Sequence, residues 1–248
     1  MLTSGCSLAH RALYFDPIRL RTPHSVYGDL VTFETARGTV YTLYARAAAG
    51  MPTVVAFHGN GEDLAREARL VDLLATKGFG VLAVEYPGFG LARGQVASEG
   101  ALYDAADHAL HGLYGRLHVP PSQVELLGYS LGTGVAAEMA HRGHGTRMVL
   151  LAPYTSIPAV ARRLSTALSD PSILPDRYDT LVKAPDISIP TLVVHGTLDP
   201  LIPFIMGEAL VAAFPRATLL ALPGVDHGVL GRGRLAVLGP IEAFLSGR

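Results

Sequence analysis

The order of apolar segments predicts an α/β fold with a mostly parallel central sheet of about eight strands, helices on both faces and a short cap insertion. Two observations support this prediction. Short apolar runs such as Thr53–Phe57 and Gly80–Val84 alternate with segments whose apolar residues recur at helical spacing. The runs are continuous, as expected of strands that are buried on both faces of a sheet.

A hairpin precedes this alternation. Asp29–Thr35 and Thr39–Arg46 alternate apolar and polar residues and are joined at Arg37-Gly38. The strands predicted after it are 53–57, 80–84, 124–127, 148–151, 191–194 and 217–222. The helices predicted between and after them are 64–75, 102–113, 131–141, 159–168, 205–213 and 235–245.

The chain divides into an N-terminal arm, residues 1–28, and one domain, residues 29–248. Residues 153–190 are rich in proline and interrupt the alternation of strands and helices. This segment is too long for an ordinary connection. We expect it to be a cap over the C-terminal edge of the sheet, where ligands bind in such folds.

Composition excludes several classes of protein. Of the 248 residues, 49% are hydrophobic and 17% are charged, which is too apolar for a disordered chain. Lys and Arg number 20 against 21 Asp and Glu, so no basic excess is available for a nucleic-acid partner. A single cysteine excludes an intrachain disulfide framework and a cysteine-based zinc site.

The N-terminal sequence leaves two interpretations of Cys6 open. Small residues precede Cys6, as in a bacterial lipoprotein signal, but the positive start and apolar run of such a signal are missing. If Cys6 is an ordinary residue, we expect a cytoplasmic protein. If the start lies inside a longer signal, Cys6 is a lipidation site and the protein is anchored to a membrane outside the cytoplasm.

The strongest motif is Gly128-Tyr129-Ser130-Leu131-Gly132, which follows a predicted strand and precedes a predicted helix. A nucleophilic serine on a tight strand-to-helix turn needs this placement and small residues two positions away on each side. The alternative is a serine that only caps the helix. We predict that Ser130 is a catalytic nucleophile.

A serine hydroxyl needs a base to become a nucleophile. His227 lies in a loop after the last predicted strand, and Asp199 follows strand 191–194, so the chain order is Ser130, Asp199, His227. That is the order of nucleophile, acid and histidine in α/β-hydrolases. The alternative for Asp199 is a turn aspartate before proline. The weaker candidates for the acid are Asp226, Asp176, Asp179 and Asp186.

The oxyanion of acyl transfer requires two backbone N–H donors. We predict that Leu131, which follows the nucleophile, supplies one, and that Asn60 in Phe57-His58-Gly59-Asn60-Gly61 supplies the other. His58 and His195 are interpreted as packing and hydrogen-bonding residues of their turns. The predicted substrate-binding residues are Tyr129, Tyr154, Ile157 and Val160. The last two belong to an apolar stripe of the cap, for which packing onto the body is the favoured explanation, although one side of a cap can also line the site.

Metal and cofactor binding are not expected. His108 with His111, and His141 with His144, have i, i+3 spacing, but neither pair is part of a motif such as His-Glu-x-x-His. The glycine-rich turn that begins at Glu85 lacks the spacing of a dinucleotide-binding loop.

Taken together, the motifs resemble the α/β-hydrolase superfamily, and most closely its branch of serine-aminopeptidase-like and depalmitoylase-like enzymes with a short cap. The resemblance spans residues 14–246. It rests on Tyr14-Phe15-Asp16-Pro17, His58-Gly59-Asn60-Gly61, Tyr86-Pro87-Gly88-Phe89-Gly90, Gly128-Tyr129-Ser130-Leu131-Gly132, Pro153-Tyr154-Thr155-Ser156, Arg177-Tyr178-Asp179, His195-Gly196-Thr197-Leu198-Asp199 and Gly224-Val225-Asp226-His227.

The resemblance implies hydrolysis of carboxylic esters or thioesters through an acyl-enzyme, without a cofactor. It implies a small-molecule ester or thioester substrate, and we expect a monomer. An aminopeptidase-like amide hydrolase and a non-catalytic binding protein on the same fold are the alternatives. One departure from the branch is Glu62-Asp63, where related chains often carry smaller, uncharged residues. Two carboxylates near the oxyanion site would disfavour anionic substrates.

Overall fold

The computed structural model describes residues 13–15, 22–164, 174–229 and 234–247. Within these residues eight strands form one sheet with the order β1-β2-β4-β3-β5-β6-β7-β8. β1 pairs antiparallel with β2, and β2 with β4, while all other pairs are parallel. The predicted fold class is therefore confirmed. The strands are β1 (Asp29–Thr35), β2 (Gly38–Ala45), β3 (Thr53–Phe57), β4 (Gly80–Val84), β5 (Val124–Tyr129), β6 (Met148–Leu151), β7 (Thr191–Gly196) and β8 (Ala217–Leu222).

Helices cover both faces of the sheet, as parallel strands require. Apolar side chains of α2, α3 and α6 pack on one face, and those of α1 and α7 pack on the other. The helices of the described residues are α1 (Leu64–Ala75), α2 (Glu99–Gly115), α3 (Leu131–His141), α4 (Ile157–Leu164), α5 (Thr180–Lys183), α6 (Phe204–Ala213) and α7 (Arg234–Leu245).

Side-chain caps fix where two of these helices begin. The Asp63 carboxylate accepts a hydrogen bond from the backbone N–H of Arg66 at the start of α1. The Ser98 hydroxyl accepts one from the backbone N–H of Ala101 at the start of α2. Such bonds satisfy N–H groups that have no partner inside the helix.

The strand order creates a crevice between the loops that follow β3 and β5. The chain passes from β3 to β4 on one side, and β5 to β8 then extend the sheet on the other side. The direction of winding therefore reverses at β3, which is the point where open α/β sheets bind their ligands. The predicted nucleophile and the predicted oxyanion loop follow these two neighbouring strands.

The cap segment 153–190 contains α4 and α5 in its described part. α4 begins two residues earlier than predicted and is described as far as Leu164. The predicted end of this helix falls in residues 165–173, which lie outside the described residues. The arm contacts the cap, because the Tyr14 hydroxyl donates to Asp176 over 2.7 Å. Cys6 lies outside the described residues. Among the residues that are described, no helix has both the length and the apolar composition to cross a membrane.

Candidate active site

Ser130 occupies a strained turn between β5 and α3. Its backbone has φ 49° and ψ −115°, a left-handed conformation that residues with a side chain rarely adopt. Two hydrogen bonds hold the turn: the Ser130 N–H donates to the Leu151 carbonyl over 2.9 Å, and the Thr133 hydroxyl donates to the Ser130 carbonyl over 2.6 Å. Such strain persists only where the surroundings determine it, and it is concentrated at functional sites.

The glycines of the motif are required by close backbone contacts. A Cβ atom on Gly128 would lie 2.4 Å from the carbonyl oxygen of Gly132. A Cβ atom on Gly132 would lie 2.0 Å from the carbonyl oxygen of Phe57. Both distances are far below van der Waals contact, so the turn cannot form with larger residues at these positions.

Ser130, His227 and Asp199 form one line of hydrogen bonds. His227 Nε2 lies 2.9 Å from Ser130 Oγ, and His227 Nδ1 lies 2.7 Å from Asp199 Oδ2. An ionised carboxylate only accepts hydrogen bonds, so the proton of the neutral imidazole is on Nδ1 and the Nε2 lone pair faces the serine hydroxyl. That is the geometry a general base needs.

The alternative interpretation of Ser130 as a helix cap is wrong. Ser130 directly precedes α3, but its side chain makes no capping hydrogen bond to that helix. The hydroxyl is directed instead to His227.

Asp199 is both the turn aspartate that we considered and the partner of His227. Its Oδ1 accepts the backbone N–H groups of Leu201 and Ile202 over 2.9 and 2.8 Å, which leaves Oδ2 for the histidine. Burial alone would raise the pKa of this carboxyl, but the hydrogen bonds from His195, His227 and Ile202 outweigh burial and hold the pKa well below its usual range. The group is therefore ionised at neutral pH.

His195 is the second histidine at this carboxylate. Its side chain is fully buried, with Nε2 2.9 Å from the Ile202 carbonyl oxygen and 3.5 Å from Asp199 Oδ2. The interpretation of His195 as a hydrogen-bonding residue of its turn agrees with this position.

The two predicted oxyanion donors lie after neighbouring strands. Leu131 is the first residue of α3, and backbone N–H groups of a first helical turn have no acceptor inside the helix. Asn60 lies in the loop after β3, and its side-chain oxygen accepts the backbone N–H of Phe15 over 2.8 Å. This bond joins the arm to the predicted oxyanion loop, a contact that no local sequence pattern indicated.

A buried ion pair lies at the start of the predicted oxyanion loop. His58 Nε2 is 3.1 Å from Glu85 Oε1, and both side chains are inaccessible to solvent. His58 Nδ1 also contacts the Gly59 carbonyl oxygen over 2.9 Å. Burial alone would lower the pKa of His58, but the hydrogen bond and charge of Glu85 raise the pKa to about 9. The pair therefore holds the loop that carries Asn60.

Replacement of Glu85 by glutamine is expected to remove a pH dependence of stability. Because the pKa of His58 rises from 6.5 to about 9 on folding, the charged imidazole contributes stability that is complete below pH 6.5 and is lost as the pH rises through 9. In the variant, His58 is already neutral at pH 7.5, so the variant is less stable than the parent at that pH. Between pH 7 and 9 the free energy of unfolding should then fall less in the variant than in the parent. Urea unfolding measured across this range tests the expectation, with the exposed Glu208→Gln as control. The expectation would be contradicted if the unfolding free energy of Glu85→Gln depended on pH as steeply as that of the parent.

The four predicted substrate-binding residues have different surroundings. Tyr154 is 1% exposed, and its hydroxyl donates to the Leu131 carbonyl over 3.1 Å, so it supports the start of α3 and offers no surface to a substrate. The Tyr129 ring stacks on His227 with centroids 5.6 Å apart, and its hydroxyl donates to the His227 carbonyl. Ile157 and Val160 are partly buried and pack against the main core.

The two carboxylates after the predicted oxyanion loop, Glu62 and Asp63, both accept backbone N–H groups. Asp63 is buried and caps α1. Glu62 Oε2 accepts the backbone N–H of Gly59 over 3.0 Å and thereby supports the loop. Both carboxylates therefore support the local backbone, and their effect on anionic substrates stays a prediction.

Two of the alternative acids are engaged elsewhere. Asp176 accepts the Tyr14 hydroxyl and the Glu99 N–H. Asp226 accepts the Gly228 N–H over 2.9 Å.

A separate cavity of about 430 Å³ lies beside the β1–β2 hairpin. Its lining includes Arg37, Asp104 and His108, and none of Ser130, Asp199 and His227.

A serine, histidine and aspartate in line at the C-terminal edge of a parallel sheet are characteristic of α/β-fold serine hydrolases. The comparisons agree. Residues 50–171 match the family model of serine aminopeptidases (S33), and residues 118–229 match that of the serine hydrolase FSH1. The chain belongs to the α/β-hydrolase superfamily and is a hydrolase.

Two relatives in sequence and one solved structure illustrate this similarity. The uncharacterized protein Rv2307c of Mycobacterium tuberculosis is 31% identical over 198 residues, which are 79% of this chain and 70% of the relative. The α/β hydrolase domain-containing protein 17C of Xenopus tropicalis is 28% identical over 80% of this chain and 64% of the relative. The Pyrococcus furiosus esterase Pf2001 has a TM-score of 0.75 at 15% identity, over 93% of this chain and 98% of the esterase.

Proposed function

We propose that this protein is a serine hydrolase that cleaves carboxylic esters or thioesters through an acyl-enzyme intermediate. Ser130 is the nucleophile, His227 the general base and Asp199 the acid that orients it. The observation that carries the proposal is the line of hydrogen bonds, 2.9 Å from Ser130 to His227 and 2.7 Å from His227 to Asp199. The strained backbone of Ser130 supports it independently.

The proposed reaction has two steps. Ser130 Oγ attacks the carbonyl carbon while His227 Nε2 takes the hydroxyl proton. The backbone N–H groups of Leu131 and Asn60 bind the oxyanion, and His227 returns the proton to the leaving alcohol or thiol. Water, activated by the same histidine, then attacks the acyl-enzyme and releases the acid. Asp199 stabilises the imidazolium in both steps.

The names of similar proteins point to two kinds of bond. One matching family model carries the name of an aminopeptidase, and several similar structures are esterases. We favour esters and thioesters, because an aminopeptidase must bind a free amino terminus. Glu62, which follows the predicted oxyanion loop, and Asp226, which adjoins His227, each already accept a backbone N–H, so neither carboxylate is set aside for an amino terminus.

Reaction with a fluorophosphonate tests the activated serine. The reagent phosphonylates serines that have a general base and an oxyanion site. We expect an increase in intact mass of one adduct per chain, and peptide mapping should place the adduct on Ser130. No adduct on the folded protein would contradict the proposal and favour a binding protein on the hydrolase fold.

Matched substrates separate ester from amide hydrolysis. A p-nitrophenyl ester, a thioester and an anilide that share one short acyl group differ only in the leaving group. We expect turnover of the ester and thioester and a far smaller kcat/KM for the anilide. A preference for an aminoacyl anilide with a free amino group over its N-acetylated form would support the aminopeptidase alternative.

A further inference from the structure

We propose that Asp107, His111 and His144 form a binding site for Zn²⁺. The three residues each offer one ligand atom, and these atoms all lie within 4.8 Å of one another. Asp107 and His111 are one turn apart on α2, and His144 follows the end of α3. Imidazole and carboxylate are the nitrogen and oxygen ligands that zinc takes in proteins. The proposal departs from the expectation, based on spacing within single helices, that the chain binds no metal.

The distance between two of the proposed ligand atoms is already close to that of a tetrahedral zinc site. His144 Nε2 lies 3.1 Å from Asp107 Oδ1. Two ligands at zinc–ligand distances of about 2.1 Å lie about 3.4 Å apart in a tetrahedron. The side chain of His111 is 65% exposed, so its ring can shift toward the other two ligand atoms.

Outer hydrogen bonds can orient both histidines. His111 Nδ1 lies 2.8 Å from the backbone oxygen of Asp107, which places the proton on Nδ1 and leaves Nε2 as a ligand. His144 Nδ1 lies 3.1 Å from the Tyr114 hydroxyl, which accepts the Nδ1 proton when Nε2 binds the metal. Second partners of this kind, a backbone carbonyl or a hydroxyl, accompany most metal-bound histidines.

One cation faces the site. Arg142 Nη1 lies 3.8 Å from Asp107 Oδ1, but its Nε is 2.9 Å from Glu138 Oε1. The guanidinium is thus paired with Glu138 and is a weak competitor for Asp107. Its charge still opposes a metal ion, so its removal should strengthen binding.

The position of the site indicates a structural role. His144 lies beyond the C-terminal end of α3, whose N-terminal end follows Ser130, and eleven helical residues separate the two by roughly 16 Å. A bound ion would join α2 to the segment after α3. We therefore expect Zn²⁺ to raise the melting temperature with little effect on hydrolysis, since a ligand that binds only the folded state stabilises it.

Calorimetric titration of the full chain with ZnCl₂ at about pH 7.5 tests the site, since metal ligands bind in their deprotonated form. We expect one Zn²⁺ per chain. His111→Ala and Asp107→Asn should each weaken binding by about 100-fold or more, since loss of a second partner alone costs 10–100-fold. Arg142→Gln should bind more tightly than the parent protein.

His108→Ala is the matched control. His108 is also on α2, and its Nδ1 contacts the backbone oxygen of Asp104 over 2.7 Å, as His111 contacts Asp107. His108 belongs to no metal-ligating group among the described residues. Zinc affinity should be unchanged in this variant. Absence of saturable binding would overturn the proposal, and so would equal affinity in His111→Ala and the parent, or loss of binding only in His227→Ala.

Discussion

Replacement of Ser130 by alanine is expected to lower kcat for ester hydrolysis by about 10⁴-fold or more. The variant lacks the oxygen that attacks the carbonyl carbon, and His227 has no proton to take. Folding should be retained, because the Ser130 hydroxyl makes no capping bond to α3 and alanine fits the space. The measurement is kcat on a p-nitrophenyl ester, with circular dichroism to verify the fold.

Ser98→Ala provides the matched control, because Ser98 also precedes a helix. Its hydroxyl caps α2 by accepting the Ala101 N–H over 3.1 Å, a bond that the Ser130 hydroxyl does not make. Loss of this cap should cost about 1 kcal/mol of stability and leave kcat unchanged. The two serines thus separate a structural from a chemical role. Esterase activity near the parent level in Ser130→Ala would show that another residue is the nucleophile.

The nucleophile turn could be predicted because its requirements are local. A strand, a tight turn and a helix occur within a few residues, and the contacts that exclude side chains at Gly128 and Gly132 arise inside this segment or from β3 beside it. The strand is longer than predicted, since Gly128 and Tyr129 pair with Leu150 and Leu151 of β6. The prediction ended the strand before Gly128, because glycine and the following turn motif are typical of a strand end.

The ion pair of His58 and Glu85 could not be predicted in the same way. Each residue directly follows a strand, and β3 pairs in parallel with β4 so that Phe57 lies opposite Val84. The next residues of both strands are therefore neighbours. This conclusion requires knowing which strands are neighbours in the sheet. The periodicity of apolar residues along the chain does not reveal that order.

Tyr154 and the proposed zinc ligands show the same limit. Tyr154 is a predicted substrate-binding residue, yet it is buried and its hydroxyl donates to the Leu131 carbonyl at the start of α3. Asp107 and His111 have i, i+4 spacing that sequence analysis could have noted, but His144 joins them only through the packing of α2 against α3. Both the burial of Tyr154 and the position of His144 beside Asp107 depend on how helices and strands pack against one another.

Replacement of Asp199 by asparagine is expected to lower kcat by about 10⁴-fold at neutral pH with little change in the fold. Oδ1 accepts the N–H groups of Leu201 and Ile202, so the asparagine oxygen has to remain on that side. Its NH₂ group then replaces Oδ2 beside His227 Nδ1. An amide N–H donates, so His227 must accept at Nδ1 and carry its proton on Nε2.

In that tautomer His227 cannot take the proton of Ser130, so the variant keeps the contacts of the site and loses its base. Asp226→Asn is the matched control, because Asp226 adjoins His227 and its carboxylate only accepts the Gly228 N–H over 2.9 Å, a bond that asparagine retains. Comparison of kcat for the two variants on one ester separates orientation of His227 from negative charge near it. If Asp226→Asn lost as much activity as Asp199→Asn, general electrostatics and not the tautomer would be the cause, and the role assigned to Asp199 would be wrong.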